Sequence, residues 1–205
     1  MFINCSETKT DQLYRLLIGS VVPRPIAWVS SVNDDGINNL APFSFFNIFS
    51  VKPPMLGFAP GYKRPAAGSS LPVAKDTLVN VRACGEFVVN VVSQSLVEQM
   101  NQSSGEFEND ISEFAVTGLT PQASTMIKPP RVAEALISME CKVFHIHELG
   151  GSALVLGEIL CLHYADGVIG TDGLVDLDVL QPIGRLGGIS YSTVKDRFDI
   201  ERPTH

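Results

Sequence analysis

The chain has 205 residues, 45% of them hydrophobic and 18% charged, with a formal net charge of −7 and a sequence pI near 5.0. This length and balance support one large domain or two small ones around a real core and exclude a disordered chain. The acidic balance argues against general binding to nucleic acid or to anionic membranes.

The N-terminal MFINCSETKTDQ lacks a basic segment followed by an apolar one, so no signal peptide is expected, and no apolar run is long enough to cross a bilayer. Residues 10–18 read as a short amphipathic helix with Leu13, Leu16 and Leu17 on one side, ended by Gly19. Residues 24–50, RPIAWVSSVNDDGINNLAPFSFFNIFS, read as two strands, 26–32 and 40–49. The turn between them is NDDGINN, where Asp35-Gly36 is a strong hairpin signal because glycine accepts a positive φ. Alternation puts Arg24, Ile26, Trp28 and Ser30 on one face of the first strand. A guanidinium, an aromatic plane and a hydroxyl on one face can receive a planar charged ligand; an ordinary sandwich strand with one polar edge reads the same way. In the second strand, alternation separates Ser44 and Phe46 from Phe45 and Asn47. Both polar side chains can serve one ligand only if the strand bulges or ends there.

Lys52-Pro53-Pro54 breaks the pattern, residues 55–59 resume as a third strand, and Pro60-Gly61 ends it. Residues 61–71 form a loop with Lys63 and Arg64. KDTLVNVRACGEF then reads as a helix capped by Asp76 or Thr77 and ended by Gly85. A loop and helix start carrying Lys63, Arg64 and Lys75 in an acidic chain can hold a phosphate, since free N–H groups face it and lysine neutralises it. A solvated loop with ordinary capping is the alternative, and Asp76 fits the phosphate reading only if turned aside. Residues 86–93 are a further strand and 94–101 a short helix. The irregular stretch 102–130 is either a lid or binding loop or a loose insertion. Residues 135–146 and 153–164 read as an antiparallel pair, and 177–180 as a helical turn. With no internal repeat and no linker, the chain reads as a single domain, 1–205, mainly β, forming a closed or nearly closed antiparallel barrel with a few peripheral helices.

The four cysteines, Cys5, Cys84, Cys141 and Cys161, are scattered without metal or disulfide spacing, which fits a reducing, cytoplasmic location. His145 and His147 form an HxH pair without an evident third ligand, so no metal is expected. There is no GxGxxG after a strand and no Ser-His-Asp or Cys-His constellation.

Taken together, PRPIAWVSS, NLAPFSFFN, KDTLVNVRACGEFVVNVVS, PPRVAEALISMECKV, GEILCLHYADG and PIGRLGGISYS resemble, in order, the blocks of the flavin reductase-like, FMN-binding split-barrel family. The resemblance covers roughly residues 13 to 193. It implies a six-stranded antiparallel Greek-key split barrel that forms a homodimer, with FMN near the dimer interface. It implies a phosphate site around Lys63, Arg64, Lys75 and Thr77. It implies that Ser44, Phe45, Phe46 and Asn47, together with the strand carrying Arg24, Trp28 and Ser30, border the rest of the flavin. Tyr191 would reach the flavin of the partner subunit. The implied activity is transfer of a hydride from NAD(P)H, as a transient co-substrate, to flavin, possible without a general base. A monooxygenase partner or another acceptor would take the electrons. An FMN-binding electron carrier or sensor without nicotinamide reactivity is the alternative.

Overall fold

Gly36 takes a φ of 82° in the expected turn, and the strands on either side, Ala27–Val32 and Asn38–Phe43, pair antiparallel with Ala27 opposite Phe43. The computed structural model describes residues 1–63 and 73–203. The second expected strand is broken in two. Asn38–Phe43 ends before Ser44, and a new strand, Phe46–Val51, starts after Phe45. The break has local causes. Arg24 Nε donates to Ser44 Oγ at 3.3 Å, and the Phe45 carbonyl accepts the Ala59 N–H at 2.8 Å. These partners draw the two residues out of either ladder, and the six strands of the sequence reading become seven.

The seven strands form one antiparallel sheet. Its order is Asn38–Phe43, Ala27–Val32, Glu86–Val91, Ile137–Glu148, Ala153–Tyr164, Pro54–Phe58 and Phe46–Val51. The two edge strands are consecutive in the chain, joined only by Ser44 and Phe45. The sheet therefore curls until its ends meet at that corner, giving a barrel split along one seam.

Phe43, Phe58 and Phe87 run through the barrel interior with successive ring centroids 5.2 Å apart, packed by Val29, Leu56, Val89 and Val155. Gly157 makes room for them, because a Cβ there would come within 2.5 Å of the Phe87 ring. The helix Asp76–Cys84 plugs one opening with Leu78 and Val81, both fully buried. It ends at Gly85 with φ 73°, as its sequence requires.

A second core forms on the outer face of the first hairpin from Ile26, Trp28, Leu40, Val92, Met100, Phe114, Leu119, Val132 and Ile183. It explains the long irregular stretch. After the 3₁₀ turn Gln94–Leu96 and the helix Val97–Gln102, the chain crosses this face, forms the helix Glu113–Thr117 and places Phe114 and Leu119 over Trp28. Polar anchors fix it further. Ser30 Oγ donates to the Pro130 carbonyl at 2.5 Å, and Asn90 Oδ1 accepts the Val132 N–H at 3.0 Å. The buried Glu140 carboxylate accepts the Thr125 and Met126 N–H groups at 2.7 and 2.8 Å. The opening helix, Thr10–Ser20, buries only Ile18 and leaves Tyr14, Leu16 and Leu17 exposed. No described helix is long and apolar enough to cross a membrane.

Candidate functional site

Where the strand Asn38–Phe43 meets the start of the Asp76–Cys84 helix, a cleft opens at the barrel mouth, lined among others by Asn39, Phe43, Lys75, Thr77, Ser104 and Glu113. Asn39 holds its floor together. Its Nδ2 donates to Glu113 Oε1 at 2.7 Å, and its Oδ1 accepts from Thr77 Oγ1 at 2.8 Å and from Ser31 Oγ at 3.2 Å. Glu113 also accepts the Leu40 N–H at 2.9 Å. Burial pushes the Glu113 carboxyl above the usual range, and the Leu40 bond partly counters it.

The helix start differs from the expected capping. Lys75 is the N-cap residue, and no side chain caps the helix. Asp76 is turned aside instead, its carboxylate held by Lys63 Nζ at 2.9 and 3.0 Å. That pair neutralises both charges. Lys75, whose Nζ lies 5.7 Å from the Phe43 ring centroid, has no carboxylate partner among the described residues. The cleft thus combines an uncapped helix N-terminus and a lysine with no carboxylate partner among the described residues, beside a threonine whose hydroxyl proton is given to Asn39. This donor set suits a phosphate.

A second cleft adjoins it, sharing Pro42, Phe43 and Ser104 and adding Tyr14, Ser44, Asn101, Arg185 and Tyr191. The two make one trough on either side of Phe43, with Lys75 and the helix start beside Glu106 and Glu113 at one end, and Tyr14, Tyr191 and Arg185 at the other. A larger cavity of ≈ 350 Å³ lies nearby, but Asp34, Asp35, Glu108 and Asp110 line it. No lysine or arginine lines it, whereas Lys63 and Lys75 line the first cleft, so chemistry rather than volume favours the trough.

The residues expected from sequence fall into three groups. Lys63, Lys75, Thr77, Ser44 and Tyr191 line the trough, although Lys63 is engaged by Asp76. Tyr191 lines its own chain's second cleft, with its hydroxyl 3.1 Å from Asn101 Oδ1. Trp28 and Ser30 share a face of the strand, which is covered, and Arg24 lies before the strand begins. Trp28 and Ser30 are fully buried, the indole N–H donating to Ser103 Oγ at 2.9 Å. Arg24 is buried as well and donates to the carbonyls of Ile18, Val21 and Leu186. The correction has a plain cause: the chain between residues 94 and 132 covers Trp28 and Ser30, and the end of the first helix together with Leu186 engages Arg24. Phe45, Phe46 and Asn47 line neither cleft. Phe46 packs against the barrel core, Phe45 and Asn47 are exposed, and Asn47 Oδ1 accepts the Ile48 N–H at 2.9 Å. Arg64 lies outside the described residues.

Sequence reasoning missed Asn39, Glu113, Asn101, Ser104 and Arg185. Only Asn39 carried a signal, a polar residue in step with Ala41 and Phe43 on one strand face. It also missed a second cluster, Glu140, Cys161 and His163, on neighbouring strands. His163 Nε2 lies 2.6 Å from Glu140 Oε1 and 3.5 Å from Cys161 Sγ, with Arg131 Nε 3.8 Å from the same carboxylate. The carboxylate oxygens already accept two backbone N–H groups, which makes this cluster the anchor of the 120–132 segment. Burial raises the Cys161 thiol, and the nearby Glu140 raises it further.

An antiparallel split barrel with a trough at its mouth defines the class of protein. A family profile described as the flavin reductase like domain matches residues 18–178, and the chain belongs to that family. It is 40% identical to an uncharacterised protein of Aquifex aeolicus over 90% of this chain and 91% of the relative. Among solved structures it resembles nitrilotriacetate monooxygenase component B from Bacillus cereus, with a TM-score of 0.90 and 34% identity, covering 98% of each chain. It also resembles 2-nitrobenzoate 2-nitroreductase from Pseudomonas fluorescens, with a TM-score of 0.88 and 35% identity, covering 100% of this chain and 97% of the other.

Proposed function

We propose that the chain is an FMN-dependent oxidoreductase of the flavin reductase type, taking a hydride from NAD(P)H and passing electrons to a partner monooxygenase or another small acceptor. The observation that carries the proposal is the trough. One end has an open helix N-terminus with Lys75 beside it, and its other end is aromatic. FMN, when bound, supplies the redox chemistry by accepting the hydride. The chain's own part is to hold and orient. Lys75 and the N–H groups at the helix start hold the phosphate, with Thr77 beside them. Asn39, locked by Glu113, Thr77 and Ser31, has one amide N–H left for the polar chain between phosphate and ring. Phe43, Ser44 and Tyr191 border the aromatic end, and the packed segment after Met100 limits water there.

The names of the two solved relatives join a monooxygenase component and a nitroreductase, which supports a flavin-based reaction more than any one acceptor. A homodimer completes this reading. The two clefts measure ≈ 110 and ≈ 210 Å³, each below the roughly 300–1,000 Å³ of a typical ligand site. The unpaired edge strand Phe46–Val51 exposes Ile48, Phe49 and Val51 next to exposed Phe45. A second copy over this edge would cover the apolar surface and deepen the trough. The free cysteines are in keeping with a cytoplasmic setting.

The test is a flavin titration. The wild type should bind FMN far more tightly than riboflavin, which lacks the phosphate. Lys75→Ala should weaken FMN binding by about 1.5–3 kcal/mol, the worth of a charge-assisted bond, and leave riboflavin binding nearly as it was. Equal affinity for the two flavins would remove the phosphate site and with it the proposal's main support.

A further inference from the structure

We propose that Arg185 is the residue that recognises the phosphate groups of the dihydronicotinamide dinucleotide, and so decides which electron donor the trough accepts. The inference rests on the reductase reading above and assigns a specificity-determining residue within it.

Four observations converge on this side chain. The first is its lack of a counter-charge. The chain carries 22 acidic and 15 basic Lys and Arg residues. Arg82, Arg131 and Arg197 each have a carboxylate within ion-pair distance, whereas Arg185 has none among the described residues. The second is rigidity. Its guanidinium carbon sits 4.4 Å from the Tyr191 ring centroid, and Nη2 donates to the Gly188 carbonyl at 2.6 Å. Tyr191 is itself tied to Asn101. A guanidinium stacked and bonded in this way is set in its plane before any ligand arrives, which lowers the entropy lost on binding. Its Nε and Nη1 have no protein partner among the described residues and are left to donate to phosphate oxygens.

The third observation is a second positive charge built in behind it. The backbones of Arg24 and Arg185 are bridged in both directions, at 2.9 and 2.8 Å, so the two arginines sit side by side. Arg24 is buried and bonded to carbonyls and to Ser44, not to an acid. It adds positive potential without offering a competing exposed contact. The fourth is position. Arg185 lines the second cleft, which is continuous with the phosphate cleft through Pro42, Phe43 and Ser104. Lys75 stands at one end of the trough and Arg185 at the other, so one trough has two separate anion-binding ends. FMN carries only one phosphate. A donor that lays its nicotinamide on the ring at the end bordered by Phe43 and Tyr191 would bring its own phosphates beside Arg185.

The experiment is anaerobic flavin reduction by the FMN-loaded protein and by its Arg185→Gln and Arg185→Lys variants. Three donors are used: NADH, NADPH, and 1-benzyl-1,4-dihydronicotinamide, which has the reacting ring but no phosphate. The ratio of kcat/KM for NADH to that for the benzyl compound should fall about ten- to a hundred-fold in Arg185→Gln, as expected for one charge-assisted contact. Most of the loss should be in KM, and Arg185→Lys should restore part of the ratio. Equal losses for NADH and NADPH would place the pyrophosphate at Arg185. A greater loss for NADPH would place the 2′-phosphate there. An unchanged ratio for both overturns the assignment while leaving the reductase reading intact. If dithionite bleaches the bound flavin but none of the three donors does, the reductase reading itself fails.

Discussion

Replacing Trp28 with phenylalanine separates a packing role from a ligand role at the only tryptophan in the chain. Trp28 is fully buried among Ile26, Leu40, Met100, Phe114 and Val132, and its N–H is bonded to Ser103. Trp28→Phe keeps an aromatic ring but removes that bond, a loss of about 1 kcal/mol for a net intramolecular hydrogen bond. The smaller ring forfeits a further ~1–2 kcal/mol in buried area and residual void. The expected destabilisation is therefore about 2–3 kcal/mol. Urea unfolding followed by circular dichroism should show a lower midpoint with the same m-value. The visible spectrum of bound FMN and its affinity should stay as in the wild type. A stability change below about 0.5 kcal/mol, well short of the core-substitution range, together with a shifted flavin spectrum would refute the placement and return Trp28 to the ligand face.

Other substitutions probe the barrel and its anchor. Gly157→Ala would put a methyl group within 2.5 Å of the Phe87 ring; overpacking of this kind should cost about 1–3 kcal/mol in a chemical-denaturation experiment. Glu140→Gln should cost about 2–4 kcal/mol at neutral pH, because it leaves Arg131 beside a neutral amide and disturbs the Thr125 and Met126 bonds. Burial alone would raise the Glu140 carboxyl, but those N–H groups and His163 outweigh it and hold it below its ordinary value of 4.5. Its stabilisation is thus fully present above that pH and lost as the pH falls through the lowered value. The difference in stability between wild type and Glu140→Gln should shrink over that acid range; a constant difference would mean that the charge is not what anchors the segment.

The barrel was legible in the sequence where local rules decide. The Asp35-Gly36 turn, the Gly85 helix end and the 177–180 helical turn form where the residues demand them. The two long strands, expected at 135–146 and 153–164, pair as Ile137–Glu148 and Ala153–Tyr164. What failed is what depends on remote partners. Alternation put Trp28 and Ser30 on one face but did not show what covers it, because the cover arrives from about 70 to 100 residues later, as the Trp28–Ser103 and Ser30–Pro130 bonds show. The break at Ser44 and Phe45 needs Arg24 and Ala59, neither of which is a local signal. Lys63 looked like a phosphate ligand until Asp76 proved to be its partner. Asn39 and Arg185 matter through neighbours, Glu113 and Tyr191, that no spacing rule connects to them.

The most direct test of the central claim is to load the purified protein with FMN, exclude oxygen and mix it with NADH or NADPH while following the visible absorbance of the oxidised flavin. The account predicts bound yellow flavin that bleaches within seconds with at least one of the two donors and recovers its colour on admission of oxygen. Protein that takes up FMN but is bleached only by dithionite would contradict the reductase assignment and leave an electron carrier in its place.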